Sequence, residues 1–357
     1  MKTIGLLTSG GDCQGLNSTL RAVAKGLYTA YGDELLLYGF NDGYYGLMHG
    51  KYRSMQYSDF SGILTQGGTI LGASRQSFKR MRTIENGFDK VAAMKNTYAE
   101  LALDALVVLG GNGSTKTANL LSQEGLNVIS LPKTIDNDVY GTDMTFGFQS
   151  AVDIATNVLD CVHTTADSHG RVFIVELMGH KAGWLTLHAG IGGGADVILI
   201  PEIPYDTDAV CECIQHRAKD GKRFTIIAIA EGACPLECAS SPRREKALAA
   251  LLEKHHSIGY YLESCLKERI SQEIRVVVPG HIQRGGAPCP YDRVLTSRLG
   301  AYAAKLIQED KYGLTVVLQN DRVCAMPLGE VAGRLKTVPP DCDLLDAARS
   351  LGICLGE

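Results

Sequence analysis

The sequence predicts an α/β protein built on open, mostly parallel sheet, and three observations lead there. Short apolar runs alternate with helix-period segments along nearly the whole chain, the pattern of repeated strand–helix units. One run, residues 105–109, is apolar at every position, as in a parallel strand covered on both faces. Glycine- or Asx-rich loops stand at the carboxyl ends of several runs, where open α/β sheets bind ligands.

Taken in order, residues 3–8 form the first strand. Ser9-Gly10-Gly11-Asp12-Cys13-Gln14-Gly15-Leu16-Asn17 then turns the chain into a helix reaching about residue 30. Strand, glycine turn and helix together present backbone N–H groups and a helix N-terminus to an anion. The turn matches neither the P-loop nor the dinucleotide fingerprint. A second strand, 35–40, leads into the aromatic turn Asn41-Asp42-Gly43-Tyr44-Tyr45-Gly46. In Gln66-Gly67-Gly68-Thr69-Ile70-Leu71-Gly72-Ala73-Ser74-Arg75 small residues crowd one arginine, which suits backbone beside phosphate with a cation to neutralise it. A helix over 88–103 precedes the apolar strand 105–109. That strand ends in Gly110-Gly111-Asn112-Gly113-Ser114, which opens another helix.

The strand 128–131 runs to Pro132, which ends it by removing a backbone donor. Lys133-Thr134-Ile135-Asp136-Asn137-Asp138 follows, with a cation, a hydroxyl and two carboxylates two residues apart. Taken alone, Asp-Asn-Asp is an ordinary Asx-rich turn. As the third such loop at a strand end it reads as an active site, with one carboxylate as general base and the other for a metal or for orienting its neighbour.

The alternation continues with a helix at 148–165, a strand at 172–177 and the glycine loop Met178-Gly179-His180-Lys181-Ala182-Gly183-Trp184. Strands at 197–200, ending in Pro201-Glu202, and 224–230, ending in Glu231-Gly232, flank a helix near 206–220. Residues 242–270 read as helical, and the strand 274–278 ends in Pro279-Gly280-His281-Ile282-Gln283-Arg284-Gly285-Gly286. A helix at 293–309, a strand at 314–318 and a short helix at 343–351 complete the chain.

Composition narrows the class. The 357 residues amount to about two domains, 45% hydrophobic and 21% charged, ordinary for a globular protein with a large core. A net charge of -4 gives no general pull toward nucleic acid. No apolar run approaches the roughly 18 residues of a membrane span, and the first residues go straight into a strand rather than a signal peptide. Eleven scattered cysteines, an odd number, point to reduced thiols and a cytoplasmic setting. Cys211 with Cys213, and Cys234 with Cys238, fit no zinc spacing.

The order of Gly10-Gly11-Asp12, Gly110-Gly111-Asn112-Gly113-Ser114, the Pro132-to-Asp138 segment, Met178-Gly179, Pro201-Glu202 and the Gly280-to-Gly286 segment resembles the phosphofructokinases over about residues 2–320, closest to their mixed-substrate group. The resemblance implies two doubly wound α/β lobes with a cleft between them. Residues 1–146 with a returning segment at about 284–312 would bind nucleotide, 147–283 would bind sugar phosphate, and 313–357 would close the lobes. It implies transfer of the ATP γ-phosphoryl group to the C1 hydroxyl of fructose 6-phosphate with Mg²⁺ present. Asp136 would be the base, Thr134 would position the transferring group or the sugar, and Asp138 would support the base or a metal-bound water. Gly11, Arg75, Gln76 and the loop Gly111, Asn112, Gly113 and Ser114 would hold the triphosphate, with Arg75 also serving catalysis. Thr134, Ile135, Asp136, Met178, Gly179, His180, Glu231, His281 and Arg284 would bind the sugar phosphate. Arg171 and Arg275 would reach in from a neighbouring subunit of a homodimer or homotetramer. Neither nucleic acid nor membrane is an expected partner.

The chain also departs from the family pattern. Asn112 stands where bacterial ATP enzymes carry an aspartate for Mg²⁺, leaving one neutral oxygen for the metal. Lys133 stands where those enzymes have glycine and resembles the pyrophosphate-dependent branch. Gly113 resembles the ATP users, because an aspartate there would crowd and repel the α-phosphate. Together they favour ATP, with pyrophosphate as the alternative donor and a non-catalytic sensor as a second alternative. His180 replaces a common arginine, which implies a softer or a pH-sensitive grip on the sugar phosphate. In the effector pocket of bacterial relatives Arg21, Lys25 and Lys222 remain by position, whereas Asp220 and His163 stand where cations are expected, which implies weak effector control.

Overall fold

Residues 1–357 are described by a computed structural model. The strands are β1 (Lys2–Ser9), β2 (Leu35–Phe40), β3 (Tyr52–Met55), β4 (Ala105–Gly110), β5 (Val128–Pro132), β6 (Val172–Leu177), β7 (Val197–Leu199), β8 (Thr225–Ala230), β9 (Ile274–Val277), β10 (Leu314–Gln319) and β11 (Arg322–Pro327). They form two sheets, in the orders β11-β10-β5-β4-β1-β2-β3 and β7-β8-β6-β9.

Contacts divide the chain into two units, residues 1–150 with 284–336 and residues 151–283 with 337–357. The segment 313–357, expected as a single closing piece, is therefore divided. Its first part joins the larger sheet through β10, which runs parallel to β5, and its last part belongs to the second unit.

In the first unit the five inner strands run parallel, and antiparallel strands close both edges. Every residue of β4 and β5 is buried, as expected of strands with helices on both faces. The edge strands β3 and β11 were not predicted from the sequence. Three of the four residues of β3 are exposed, and β11 carries only a four-residue apolar run, 323–326, none of it fully buried. β5 ends at Pro132, as expected, with Pro132 in register with Gly110, and the Lys133 N–H beyond it donates to the Gly110 carbonyl at 3.1 Å.

The returning segment is held by close helix contact. Helix Leu16–Tyr31 packs against helix Pro290–Gln308. A Cβ on Gly26 would lie 2.7 Å from the Ala304 Cβ, and one on Gly300 would lie 2.5 Å from the Ala22 Cβ, so this approach requires glycine at both positions. Asp292, fully buried on the second of these helices, caps the start of helix Phe148–His169. Its carboxylate accepts from the Gly147 and Ser150 N–H groups at 3.1 and 2.9 Å.

In the second unit all four strands are parallel. β6 and β8 are buried throughout and form the centre of a core with Tyr205, Val210, Ile214, Ile258 and Leu262. The helix expected over 242–270 is two helices, Arg244–His255 and Ile258–Leu266. His256 adopts a left-handed conformation, and the Ser257 hydroxyl caps the Tyr260 N–H, which stops one helix and starts the next.

Candidate active site

The first unit gathers three loops at the carboxyl ends of β1, β4 and β5. The turn after β1 is braced by the loop at 66–75. Asn17 links them through its side chain, donating to the Gln66 and Gly67 carbonyls and accepting from the Ile70 N–H at 2.8 Å. Thr8 Oγ1 donates to the Gly72 carbonyl at 2.6 Å, and the Gly10 N–H to the Ser74 carbonyl at 3.1 Å. These contacts bring Arg75 to the glycine turn. A Cβ on Gly11 would lie 3.3 Å from a terminal nitrogen of Arg75 and 3.0 Å from one of Arg284. Gly11 thus lies between two guanidinium groups, one exposed on its loop and one buried.

Arg284 was expected at the sugar phosphate. In its own unit it donates to the Asp12 carbonyl at 2.9 Å, while its buried Nε has no protein partner. Gln76 follows Arg75, half-buried on the outer part of the same loop.

After β4 the helix Asn112–Gln123 starts at Gly111 with no side-chain cap. Its first N–H groups therefore face an anion site without an internal competitor. Ser114 Oγ donates to Ser9 Oγ at 3.0 Å, tying this turn to the end of β1. A Cβ on Gly113 would meet nothing within 4 Å. Asn112 donates through Nδ2 to the Arg334 carbonyl at 2.9 Å, leaving a buried Oδ1 without a partner.

After β5, Lys133 is buried and its ammonium donates to the Gly11 carbonyl. Burial lowers its pKa, and Arg284 lowers it further, against the opposing pull of Cys13, Asp136 and Asp138. The same burial raises the neighbouring Cys13 thiol to about 12, so it stays a neutral thiol. Thr134 and Ile135 are buried, and Thr134 Oγ1 accepts the Asp136 N–H at 3.0 Å. Asp136 is half-buried with an Oδ1 that no protein group reaches. Asn137 adopts a positive φ of 51°, and Asp138 is buried beside it. A buried carboxylate oxygen with no protein partner calls for an explanation, and acceptance of a proton is chemistry open to it.

The second unit gathers the other expected residues. The Met178 N–H donates to Gln283 Oε1 at 3.3 Å, and the His180 N–H to Glu231 Oε1 at 2.9 Å. Gly179 has φ 142°, and a Cβ there would strike the Ala182 carbonyl at 2.7 Å, so only glycine fits. The side chains of His180 and His281 are exposed. Gln283, fully buried, also donates to the Gly280 carbonyl at 3.0 Å and so joins the 178–180 turn to the segment after β9.

Arg171 and Arg275 both pair with Glu273, and the Arg171 contact comes first in holding the Glu273 carboxyl below the usual range. Sequence reasoning missed Glu273 because a carboxylate two residues from an arginine is an ordinary surface pattern. Glu202, named in the sequence only as part of the Pro201-Glu202 segment, accepts the Gly183 and Val338 N–H groups at 3.0 and 2.9 Å.

Lys222, singled out for effector binding, lines a cavity of about 390 Å³ with Asp167, Asp196, Arg217 and Arg223. Arg217 is already paired with Asp196 at 2.8 Å. His163 is engaged with the Gly193 carbonyl at 2.8 Å and the Phe224 ring.

Backbone donors, the cations Arg75, Lys133 and Arg284, and an unpartnered carboxylate oxygen gather around the turns after β1, β4 and β5, a set suited to a phosphate-handling α/β enzyme. Comparison with known proteins makes this specific. Residues 3–307 match the phosphofructokinase family. An ATP-dependent 6-phosphofructokinase of Spirochaeta thermophila is 51% identical, covering 100% of this chain and 98% of that protein. ATP-dependent 6-phosphofructokinase 3 of Bacteroides thetaiotaomicron is 42% identical over 99% of each. Among solved structures, phosphofructokinase from Saccharomyces cerevisiae aligns with a TM-score of 0.80 and 30% identity over 93% of this chain and 45% of that one. This chain thus spans less than half of the yeast chain. A pyrophosphate-dependent phosphofructokinase from Nitrosospira multiformis, at 18% identity and a TM-score of 0.82 over 99% of this chain and 92% of that one, shares the fold. The chain belongs to the phosphofructokinase family.

No helix is long and apolar enough to cross a membrane.

Proposed function

We propose that this chain is an ATP-dependent 6-phosphofructokinase, moving the γ-phosphoryl group of ATP to the C1 hydroxyl of fructose 6-phosphate in glycolysis. The observation that carries this reading is Asp136, whose Oδ1 is buried, unpartnered and at the end of β5. Asp136 takes the C1 hydroxyl proton as the phosphoryl group departs from ATP. Thr134 holds the Asp136 backbone through its hydroxyl, and Asp138 supports the same loop.

The triphosphate lies against Gly11 and the uncapped turn of Gly111, Asn112, Gly113 and Ser114, with Arg75 and Gln76 on the loop beside them. Arg75 neutralises charge on the transferring group. Met178, Gly179, His180, Glu231, His281 and Arg284 bind the sugar phosphate. Arg171 and Arg275 serve a neighbouring copy in a homodimer or homotetramer. On this reading the enzyme works in the cytoplasm, a setting that suits its eleven free cysteines.

Mg²⁺ fits the chain's donor chemistry in a limited way. Asn112 Oδ1 is a buried oxygen without a partner, and no group of three His, Cys, Asp or Glu side chains gathers to hold a metal. That set suits a cation held chiefly by phosphates and waters, with Asn112 adding one neutral oxygen. When bound, Mg²⁺ supplies charge neutralisation on the phosphates.

Pyrophosphate is the second reading, supported by Lys133. Against it stand the engagement of the Lys133 ammonium by the Gly11 carbonyl and the open space at Gly113.

The test of the base is Asp136→Asn. It should lower kcat by about 10²- to 10⁴-fold, the usual worth of a general base, while ATP binding stays near wild type. A folded variant with more than a tenth of wild-type kcat would remove Asp136 from the mechanism.

A further inference from the structure

The segment Arg334-Leu335-Lys336 lies beyond the residues that match the family, 3–307, and has no part in the reading above. It is laid along the loop that carries Asp136. Leu335 pairs with Val139 in an antiparallel bridge, and the Lys336 N–H donates to the Asp138 carbonyl at 2.9 Å. The Arg334 guanidinium sits 3.5 Å from the centre of the Tyr140 ring, a cation–π contact. The Arg334 carbonyl accepts the Asn112 side-chain amide. Beyond Lys336 the chain passes into the second unit.

The Lys336 ammonium is the centre of this strap. It donates to Asn137 Oδ1 at 2.8 Å, to the Thr142 carbonyl at 2.8 Å and to the Asp143 carbonyl at 2.9 Å. An ammonium has three N–H donors, and three oxygens receive them. Asn137 Oδ1 also accepts the Thr145 N–H at 3.1 Å, and Asn137 holds φ 51° between the two carboxylate residues. A residue in the left-handed region persists where its surroundings hold it.

We propose that Lys336 is a positioning residue for phosphoryl transfer. By fixing Asn137 in its left-handed conformation, it sets the directions in which Asp136 and Asp138 leave the chain. A shift of about 1 Å in a base is enough to cost about 10² in rate, so a lysine whose ammonium is held by Asn137, Thr142 and Asp143 governs turnover through this loop. The inference rests on Asp136 as the base.

Lys336→Met keeps the length of the side chain and removes its donors. The expected result is a fall in kcat of about 10²-fold with ATP affinity within about twofold of wild type. Faster hydrogen exchange at the Thr145 amide is expected with it. Asn137→Gly is the second variant, since it keeps the left-handed conformation accessible and removes the amide that Lys336 holds. It should reproduce the kcat loss, and the double variant should lose no more than either single one, because both break the same link. Wild-type kcat in folded Lys336→Met, unchanged Thr145 exchange, or losses that multiply in the double variant would overturn the inference. An inactive Asp136→Asn beside a fully active Lys336→Met would overturn this proposal alone. A fully active Asp136→Asn would remove the base on which it stands.

Discussion

The Lys133 ammonium donates to the Gly11 carbonyl, joining the turn after β5 to the turn after β1. A lysine that suggested pyrophosphate chemistry from sequence is thus also a brace between two loops of the site. Lys133→Met should leave the thermal midpoint within a few degrees, because losing one hydrogen bond is offset by no longer burying a charge. It should raise the ATP KM by about tenfold, worth about 1.4 kcal/mol, through loss of the cation and loosening of Gly11. An unchanged KM in steady-state assays would reduce Lys133 to a structural role.

Gly113→Asp separates a ligand effect from a folding effect. A Cβ at that position meets no atom within 4 Å, so the variant should unfold at the wild-type temperature. Its carboxylate would face the phosphates at the start of an uncapped helix and compete with them for the same N–H groups. ATP turnover should fall by at least about 10²-fold, on the scale of a charge repelled in a closed site. Unchanged ATP kinetics would mean that Gly113 does not select the donor.

Glu273 pairs with Arg171 and Arg275, so on the proposed role of these arginines it would compete with the sugar phosphate for them. Exposed pairs of this kind are weak and screened by solvent, so a dianionic phosphate would displace the carboxylate. Glu273→Gln should therefore lower the fructose 6-phosphate KM, by up to about fivefold. The Arg171 contact chiefly depresses the Glu273 pKa, so the pairing is present above the ordinary carboxyl value of 4.5 and is lost as pH falls through the lower folded value. A KM that rises in the variant would show that Glu273 organises the arginines instead of occupying them.

Lys336 gives the account an opposed pair of pH effects. Burial brings its pKa from 10.5 to about 8, although Asp143 and Asp138 favour the charge. Between those values the unfolded chain holds a proton that the folded chain has released, so this group makes stability rise with pH across the window. The neutral amine has one donor fewer, so kcat should fall over the same range. Urea unfolding and initial rates between pH 7.5 and about 10, read against Lys336→Met, should move in opposite directions. Movement in the same direction would place the titration elsewhere.

Much of this was legible in the sequence, and the exceptions have physical causes. β1, β4, β5, β6 and β8 announced themselves because both faces are covered and most of each run is apolar. β3 lies at a sheet edge, where polar residues are allowed and the pattern fades, and the apolar run of β11 is only four residues, too short to read as a strand by itself. The break at His256 and Ser257 carried a readable signal, a capping serine, hidden inside a run rich in helix formers. The loop residues at 9–15, 110–114 and 132–138 were visible because glycine and Asx at strand ends are unusual in density. Lys336, Glu273 and Asp292 were not, because each acts on residues far along the chain or paired only once the sheets form. Sequence spacing holds no trace of such contacts.

The most direct measurement is initial rates with fructose 6-phosphate and Mg²⁺, run side by side with ATP and with pyrophosphate as donor. Turnover with ATP, yielding fructose 1,6-bisphosphate, and none with pyrophosphate is the predicted result. Turnover with pyrophosphate in place of ATP would contradict the account and give Lys133, rather than Gly113, control of the donor.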